Sequence, residues 1–293
     1  MAHAHTHMAH GRAFAIGIAL NLAFVGVEVF YGLVANSSAL LADAGHNASD
    51  VLGLFLAWGA FRLADLKPKG KYTYGLKRST ILSSILNAML LFVAVFFIGK
   101  DAFHKLQEPQ PVGGTQVMIV AGIGVIINTI TALLFVKGQK HDLNIKGAFM
   151  HMAADAAVSL GVVIAGLLIN TTGYLWIDPA VSFIIIAVVL WGTWGLFTDS
   201  VDLALDAVPK DINIRKVREA LNAFPGVYDA HDLHVWALST NETALSVHLV
   251  VPNGGGDEYL ASVQQMLQDR FGISHATIQI EKAANNDVEC PHE

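Results

Sequence analysis

His46 and Asp50 stand four residues apart, and so do His151 and Asp155. On an α-helix that spacing places both side chains on one face, about one turn apart. Two such faces opposed would offer two imidazoles and two carboxylates, a closed N₂O₂ set that suits tetrahedral zinc. Imidazole and carboxylate also admit cobalt, nickel or cadmium, so the donors narrow the metal without fixing it. An isolated His in an apolar helix is more often a packing or helix-end residue. Both pairs here fall in long apolar runs, where an Asp near a membrane helix centre costs on the order of 3 kcal/mol. Four ionisable residues in two copies of one pattern therefore argue for a metal site.

The elements that must position these residues are membrane helices. The chain is 54% hydrophobic and 14% charged, against about 25% charged in soluble domains. Six segments approach the roughly 20 apolar residues a bilayer core requires: Ala13–Val34, Ala39–Leu63, Ser79–Ile98, Thr115–Val136, Gly147–Thr171 and Asp178–Leu203. The loop between the second and third carries Arg62, Lys67, Lys69, Lys71, Lys77 and Arg78, and the next loop on that side carries Lys137, Lys140 and Lys146. The opposite loops hold only Lys100 and Lys105. The positive-inside rule then places both termini in the cytoplasm of a multi-pass protein, as in a bacterial inner membrane. No cleavable leader is evident before the first run. The net charge of −6 argues against nucleic acid as a partner.

Beyond Pro209 the composition turns to that of a small soluble α+β domain. Ile212–Ala223 and Asp257–Phe271 read as helices, and Ala230–Ala237, Thr243–Val251 and His275–Glu281 as strands. The order αββαβ suits a sheet covered by helices on one face. The expected organisation is a His-rich segment (1–12), a six-helix transmembrane domain (13–208), a cytoplasmic domain (209–283) and a tail (284–293). Within the membrane, Asp43 reads as a ligand or a solvated vestibule residue. Asn21 and Glu28 share a face and read as a buried pair supporting the site, while Asn87 and Asn128 suit interhelical hydrogen bonds.

Several of these motifs together resemble the cation diffusion facilitators, in particular the bacterial zinc/cobalt/cadmium-resistance branch and its animal zinc-transporter relatives. They are Ser37-Ser-Ala-Leu-Leu-Ala-Asp43, the two His-x-x-x-Asp pairs, Tyr74-Gly75 with Arg78, Asp178-Pro179, Leu205-Asp206 with Pro209, Ala230-His-Asp-Leu-His-Val-Trp236 and Thr277-Ile-Gln-Ile-Glu281. The resemblance implies a homodimer in the lipid bilayer that exchanges cytoplasmic divalent metal for external protons. It also implies a ferredoxin-like, metal-binding cytoplasmic domain. The family's transport ligands fall on His46, Asp50, His151 and Asp155, and His at both positions resembles the zinc-preferring type. In the cytoplasmic domain the resemblance points to His231, His248, His275 and Glu281 as zinc ligands. Cys290 and His292 on the tail extend that set. His234 and Trp236 read as structural. Arg78 and Asp206 are expected to pair as an interlock at the membrane–cytoplasm junction. Some relatives hold a further metal in the loop before the third helix, but here residues 64–76 contain no His, so no such site is expected.

A metal hydrolase would need a general base and an open ligand position, and His-Glu-x-x-His is absent. A transporter of organic cations would favour aromatic cages over paired His and Asp, which leaves a membrane-anchored metal sensor as the alternative, although a plain anchor has no use for ionisable residues in two spans.

Overall fold

In the computed structural model the described residues are 21–136 and 143–282. The His-rich N-terminal segment, the start of the first span and the tail with Cys290 and His292 lie outside them. The described elements are α1 (Asn21–Val34), α2 (Ser38–Ala64), α3 (Ser79–Gln107), α4 (Gly114–Phe135), α5 (Leu143–Thr172), α6 (Ile177–Ala204), α7 (Ile214–Asn222), β1 (Asp229–Ala237), β2 (Thr243–Val250), α8 (Asp257–Phe271) and β3 (Ile273–Glu281). Contacts divide the chain into two compact units. One runs to Phe55 and adds Leu86–Gly195; the other joins Leu56–Ile85 to the segment from Leu196 onward.

Among the described residues four helices are long and apolar enough to cross a membrane: α3, the Gly114–Leu133 part of α4, the Phe149–Thr172 part of α5, and α6. Helix α2 has the length, at 27 residues, but Asp43, His46, Asn47 and Asp50 dilute its apolar character. The described part of α1 is short. Helix α3 continues to Gln107, well past the expected end at Ile98, because the polar turn beyond the apolar run is held by an i,i+4 pair. There Lys105 meets Asp101 at 2.7 Å.

A polar knot ties the start of α2 to α3 and α6. The first backbone N–H groups of a helix lack intrahelical acceptors. Here the buried Asp178 carboxylate accepts from Ser38 N–H at 2.7 Å and from Ala39 N–H at 3.4 Å. It also accepts from the Ser37 hydroxyl, whose oxygen in turn accepts from Leu40 N–H at 3.0 Å. The Ser38 hydroxyl donates to Asp101 at 2.6 Å and accepts from Lys105 at 3.0 Å, and Lys105 also donates to the Asn36 carbonyl. Lys105 is thus only 5% exposed.

Helices α4 and α5 approach backbone to backbone. A Cβ added at Gly166 would sit 2.8 Å from the Gly114 carbonyl oxygen and 2.9 Å from the Met118 nitrogen. Small residues at such crossings let membrane helices close together. Gly166→Ala is expected to lower stability by about 1–3 kcal/mol, the usual cost of overpacking. An unchanged unfolding temperature in detergent would show that the crossing can relax.

The C-terminal domain follows the αββαβ order read from the sequence, with a three-stranded sheet in the order β1-β2-β3. β1 and β2 are antiparallel, while β2 and β3 are parallel, giving a mixed sheet. One face carries Leu233, Val235, Leu245, Val247 and Leu249, packed against Val217 and Leu221 of α7 and Val263 and Leu267 of α8. The strand period of two sends His248 and Glu281 to the opposite face, clear of that core, and a β-bulge between His231 and His234 puts His231 there as well, although its parity matches that of Leu233 and Val235. Asn213 caps α7, accepting from the Arg215 and Lys216 N–H groups.

Candidate metal sites

Helices α2 and α5 place their His-x-x-x-Asp pairs face to face. His46 Nε2 lies 3.2 Å from Asp155 and 3.9 Å from Asp50. His151 Nε2 lies 3.3 Å from Asp50 and 3.7 Å from Asp155. Each carboxylate therefore faces both imidazoles, and the rings stand 6.1 Å apart, edge to face. Ligand atoms of His46, Asp50 and Asp155 come within 4.8 Å of one another, close enough to share one ion. Exposure is graded across the site. The Asp155 side chain is 3% exposed and that of His151 is 45% exposed, the most of the four.

Behind the site lie two further acids. Glu28 accepts from the Asn47 amide at 3.0 Å, and Asp43 accepts from the Ser159 hydroxyl at 2.8 Å. Both acids are fully buried, so Asp43 is no solvated vestibule residue. The partner of Glu28 is Asn47 on α2, one position after His46, rather than Asn21. The sequence showed that Glu28 was polar in an apolar span but not which helix it would meet. Asn87 Oδ1 and Asn128 Nδ2 are buried without a partner among the described residues.

A second cluster occupies the polar face of the C-terminal sheet. His231 and His248 are direct cross-strand partners on β1 and β2. Glu281 of β3 reaches both, at 3.5 Å from His231 Nε2 and 3.1 Å from His248 Nδ1. These three residues also bring ligand atoms within 4.8 Å of one another. His275 lies apart: it pairs in register with Ala244, whereas His248 pairs with Gln279, four residues along β3. That separation is about 13 Å along a strand. The His275 ring instead packs edge-on against Tyr74 at 5.6 Å.

Asp232 joins this face, a role the sequence did not reveal. A β-bulge between His231 and His234 leaves Asp232 at φ 49°, a left-handed conformation that Asp tolerates. It meets His234 at 2.9 Å and His248 at 3.6 Å. The hydrogen bond from His234 holds its carboxyl below the usual carboxylate range, with the charges of His234, His248 and His231 acting in the same direction.

Arg78 and Asp206 form an ion pair. Both side chains are about half exposed, so the pair contributes at most about 1 kcal/mol. Asp206 also closes α6 with φ 62°, letting Ala207 N–H reach the Asp202 carbonyl. Lys77 pairs with Glu242, and Thr240 N–H donates to the Thr80 hydroxyl at 3.0 Å. The loop before α3 gives no third group: among the described residues the two clusters above are the metal-capable ones, and Asp65 is in neither.

Residues 14–203 match the cation efflux transmembrane domain, and residues 209–283 match the cytoplasmic domain of cation efflux proteins. The metal cation efflux system protein CzcD of Cupriavidus metallidurans is 36% identical over 284 residues, covering 96% of this chain and 90% of that protein. The cadmium, cobalt and zinc/H(+)-K(+) antiporter of Bacillus subtilis is 31% identical, covering 98% and 94%. The zinc transporter ZitB of Escherichia coli is 31% identical, covering 99% and 96%. Among solved structures, the metal-bound C-terminal domain of the CzcD transporter from C. metallidurans aligns with 24% of this chain and 99% of its own, at 40% identity and a TM-score of 0.23. With both matches together spanning most of its length, the chain belongs to the cation efflux, or cation diffusion facilitator, family: it is a multi-pass membrane transporter of metal cations and not an enzyme.

Proposed function

We propose that this protein is a proton-coupled antiporter that exports divalent transition metal from the cytoplasm, zinc first, with cadmium, cobalt and nickel as further substrates. The observation that carries the reading is the crossed contact of both carboxylates with both imidazoles between α2 and α5. His46, Asp50, His151 and Asp155 hold the transported ion, which is substrate rather than resident cofactor. The name of the B. subtilis relative supports cadmium, cobalt and zinc and exchange for protons, and that of the E. coli relative supports zinc.

The donor chemistry supplies the coupling. An ordinary imidazole titrates near pH 6.5, within the span of a physiological proton gradient. Metal requires neutral imidazole, so an ion arriving from the cytoplasm displaces protons, and protons arriving from the acidic side displace the ion. Alternating access of one site to the two membrane faces converts this competition into uphill export. Six spans, with α1 and α2 among them, and cytoplasmic termini in a bacterial inner membrane complete the arrangement. The domain division is a His-rich segment (1–12), a transport domain (13–208), a cytoplasmic domain (209–283) and a tail (284–293).

The cytoplasmic cluster fits a resident metal of the same class. His231, His248 and Glu281 offer two nitrogens and one oxygen within reach of one ion, and Asp232 stands beside His248. Three donors leave a position that a tail ligand, Cys290 or His292, could fill. This domain is also the surface for a homodimer, consistent with its family match. Arg78 and Asp206 act as the interlock at its junction with the helices.

The test is zinc-linked proton flux in vesicles containing the full chain. His151→Ala should abolish the flux and leave the chain folded, since this side chain is the most exposed of the four. Coupled flux that persists in the substituted chain would remove the assignment. Zinc binding by the native chain without any flux would favour a membrane-anchored sensor.

A further inference from the structure

The buried acids behind the metal ligands have no role in ligation, yet they sit where an uncompensated charge is most costly. Glu28 and Asp43 are both fully buried. An ionised carboxylate has about four acceptor sites to satisfy. Glu28 receives one hydrogen bond, from Asn47, and Asp43 one, from Ser159. Glu28 Oε1 and Asp43 Oδ1 are buried with no partner among the described residues. Two buried anions so poorly solvated would carry a penalty of several kcal/mol each.

Among the described residues neither acid is paired with a lysine or arginine, and the one favourable charge, His46 at Asp43, is itself one of the proposed metal ligands. The titratable groups acting on the two acids are Asp43 and Asp155 at Glu28, and His46 and Asp155 at Asp43. Asp155 acts on both acids as a like charge. Helix α4 has no charged residue and packs closely: a Cβ at Gly124 would meet Phe24 at 2.9 Å and the Ser159 hydroxyl at 3.4 Å. On α3 the buried cation Lys105 is committed to Asp101, Ser38 and Asn36, and on α6 Asp178 is committed to the start of α2. A proton on the orphan oxygens is the available way to neutralise the pair. A divalent ion at the adjacent ligands reverses the local field and favours the ionised form.

We propose that Glu28 and Asp43 form a proton-carrying pair, separate from the metal ligands, that releases a proton when a divalent ion occupies the His46–Asp50–His151–Asp155 site. The step breaks one O–H bond, leaves a carboxylate and passes H⁺ to water on the side to which the site is open. Rebinding of H⁺ on the acidic side restores the neutral acid as the metal departs. The pair thereby adds to the protons displaced from the imidazoles, and it rests on the antiport reading given above.

The experiment counts protons released per zinc ion bound by the full chain in detergent, in weak buffer with an indicator dye, alongside calorimetric zinc affinity. Glu28→Gln and Asp43→Asn preserve the shape of the neutral acids. Each is expected to fold and to bind zinc with near-native affinity. Proton release should fall by about one per ion in at least one of them. Native proton release retained in full by both variants would overturn the pair while leaving the antiport reading intact. A native chain that binds zinc and releases no proton would overturn the antiport reading and the pair with it. Should neither variant fold, infrared difference spectra of the native chain decide: zinc must bleach a protonated-carboxyl band, and its absence overturns the proposal.

Discussion

Asp155→Asn is expected to weaken zinc binding by about two orders of magnitude while leaving the metal-free protein at least as stable as the native one. Four-ligand structural zinc sites are worth about 10–16 kcal/mol, so one ligand accounts for on the order of 3 kcal/mol, about a hundredfold in affinity. Asp155 is placed to show the full effect, because it faces His46 at 3.2 Å and His151 at 3.7 Å and its side chain is 3% exposed. Water cannot readily replace it. Asparagine keeps the volume and removes a charge whose burial is costly, since this side chain is 3% exposed. The apo protein therefore loses a desolvation cost as well as an ion pair. Calorimetry with zinc and a thermal melt without it check both halves. Native-like affinity would mean that Asp155 is a supporting residue rather than a ligand.

Asp178→Ala is expected to damage the fold itself, through a loss of about 3 kcal/mol. The substitution leaves Ser38 N–H, Ala39 N–H and the Ser37 hydroxyl without their acceptor at a buried helix start. Each buried unsatisfied group costs about 1–3 kcal/mol, and the negative charge facing the N-terminus of α2 is lost as well. For a chain of this size that corresponds to roughly 6–12 °C in unfolding temperature. Asp178→Asn keeps one acceptor oxygen and should fall between the two. A melt in detergent distinguishes this from a role in the transport cycle. Unchanged stability with lost transport would show that Asp178 acts on the cycle instead.

That His46, Asp50, His151 and Asp155 would come together was legible because the four residues are the wrong polarity for their surroundings and share one helical period, a pattern that needs no tertiary information. The αββαβ order was legible for a similar reason, since strand alternation and the Phe224-Pro-Gly break are local. The partners of the buried acids were not. Which helix supplies Asn47 to Glu28, or Ser159 to Asp43, depends on helix rotation, and hydropathy is blind to rotation. The length of α3 was underestimated because hydropathy ends where the lipid does, whereas the helix continues on the Asp101–Lys105 pair. His275 and Asp232 exchange roles for one physical reason. Strand register moves His275 about four residues from the cluster, and a one-residue bulge brings in Asp232. Neither register nor bulge can be read from residue types alone.

The most direct test of the central account is zinc uptake into vesicles carrying the purified full chain under an imposed pH gradient, with Asp50→Ala measured in parallel. The account predicts uptake that collapses when the gradient is dissipated and is absent in Asp50→Ala. Uptake by the native chain that ignores the gradient, or that survives in Asp50→Ala, would contradict it.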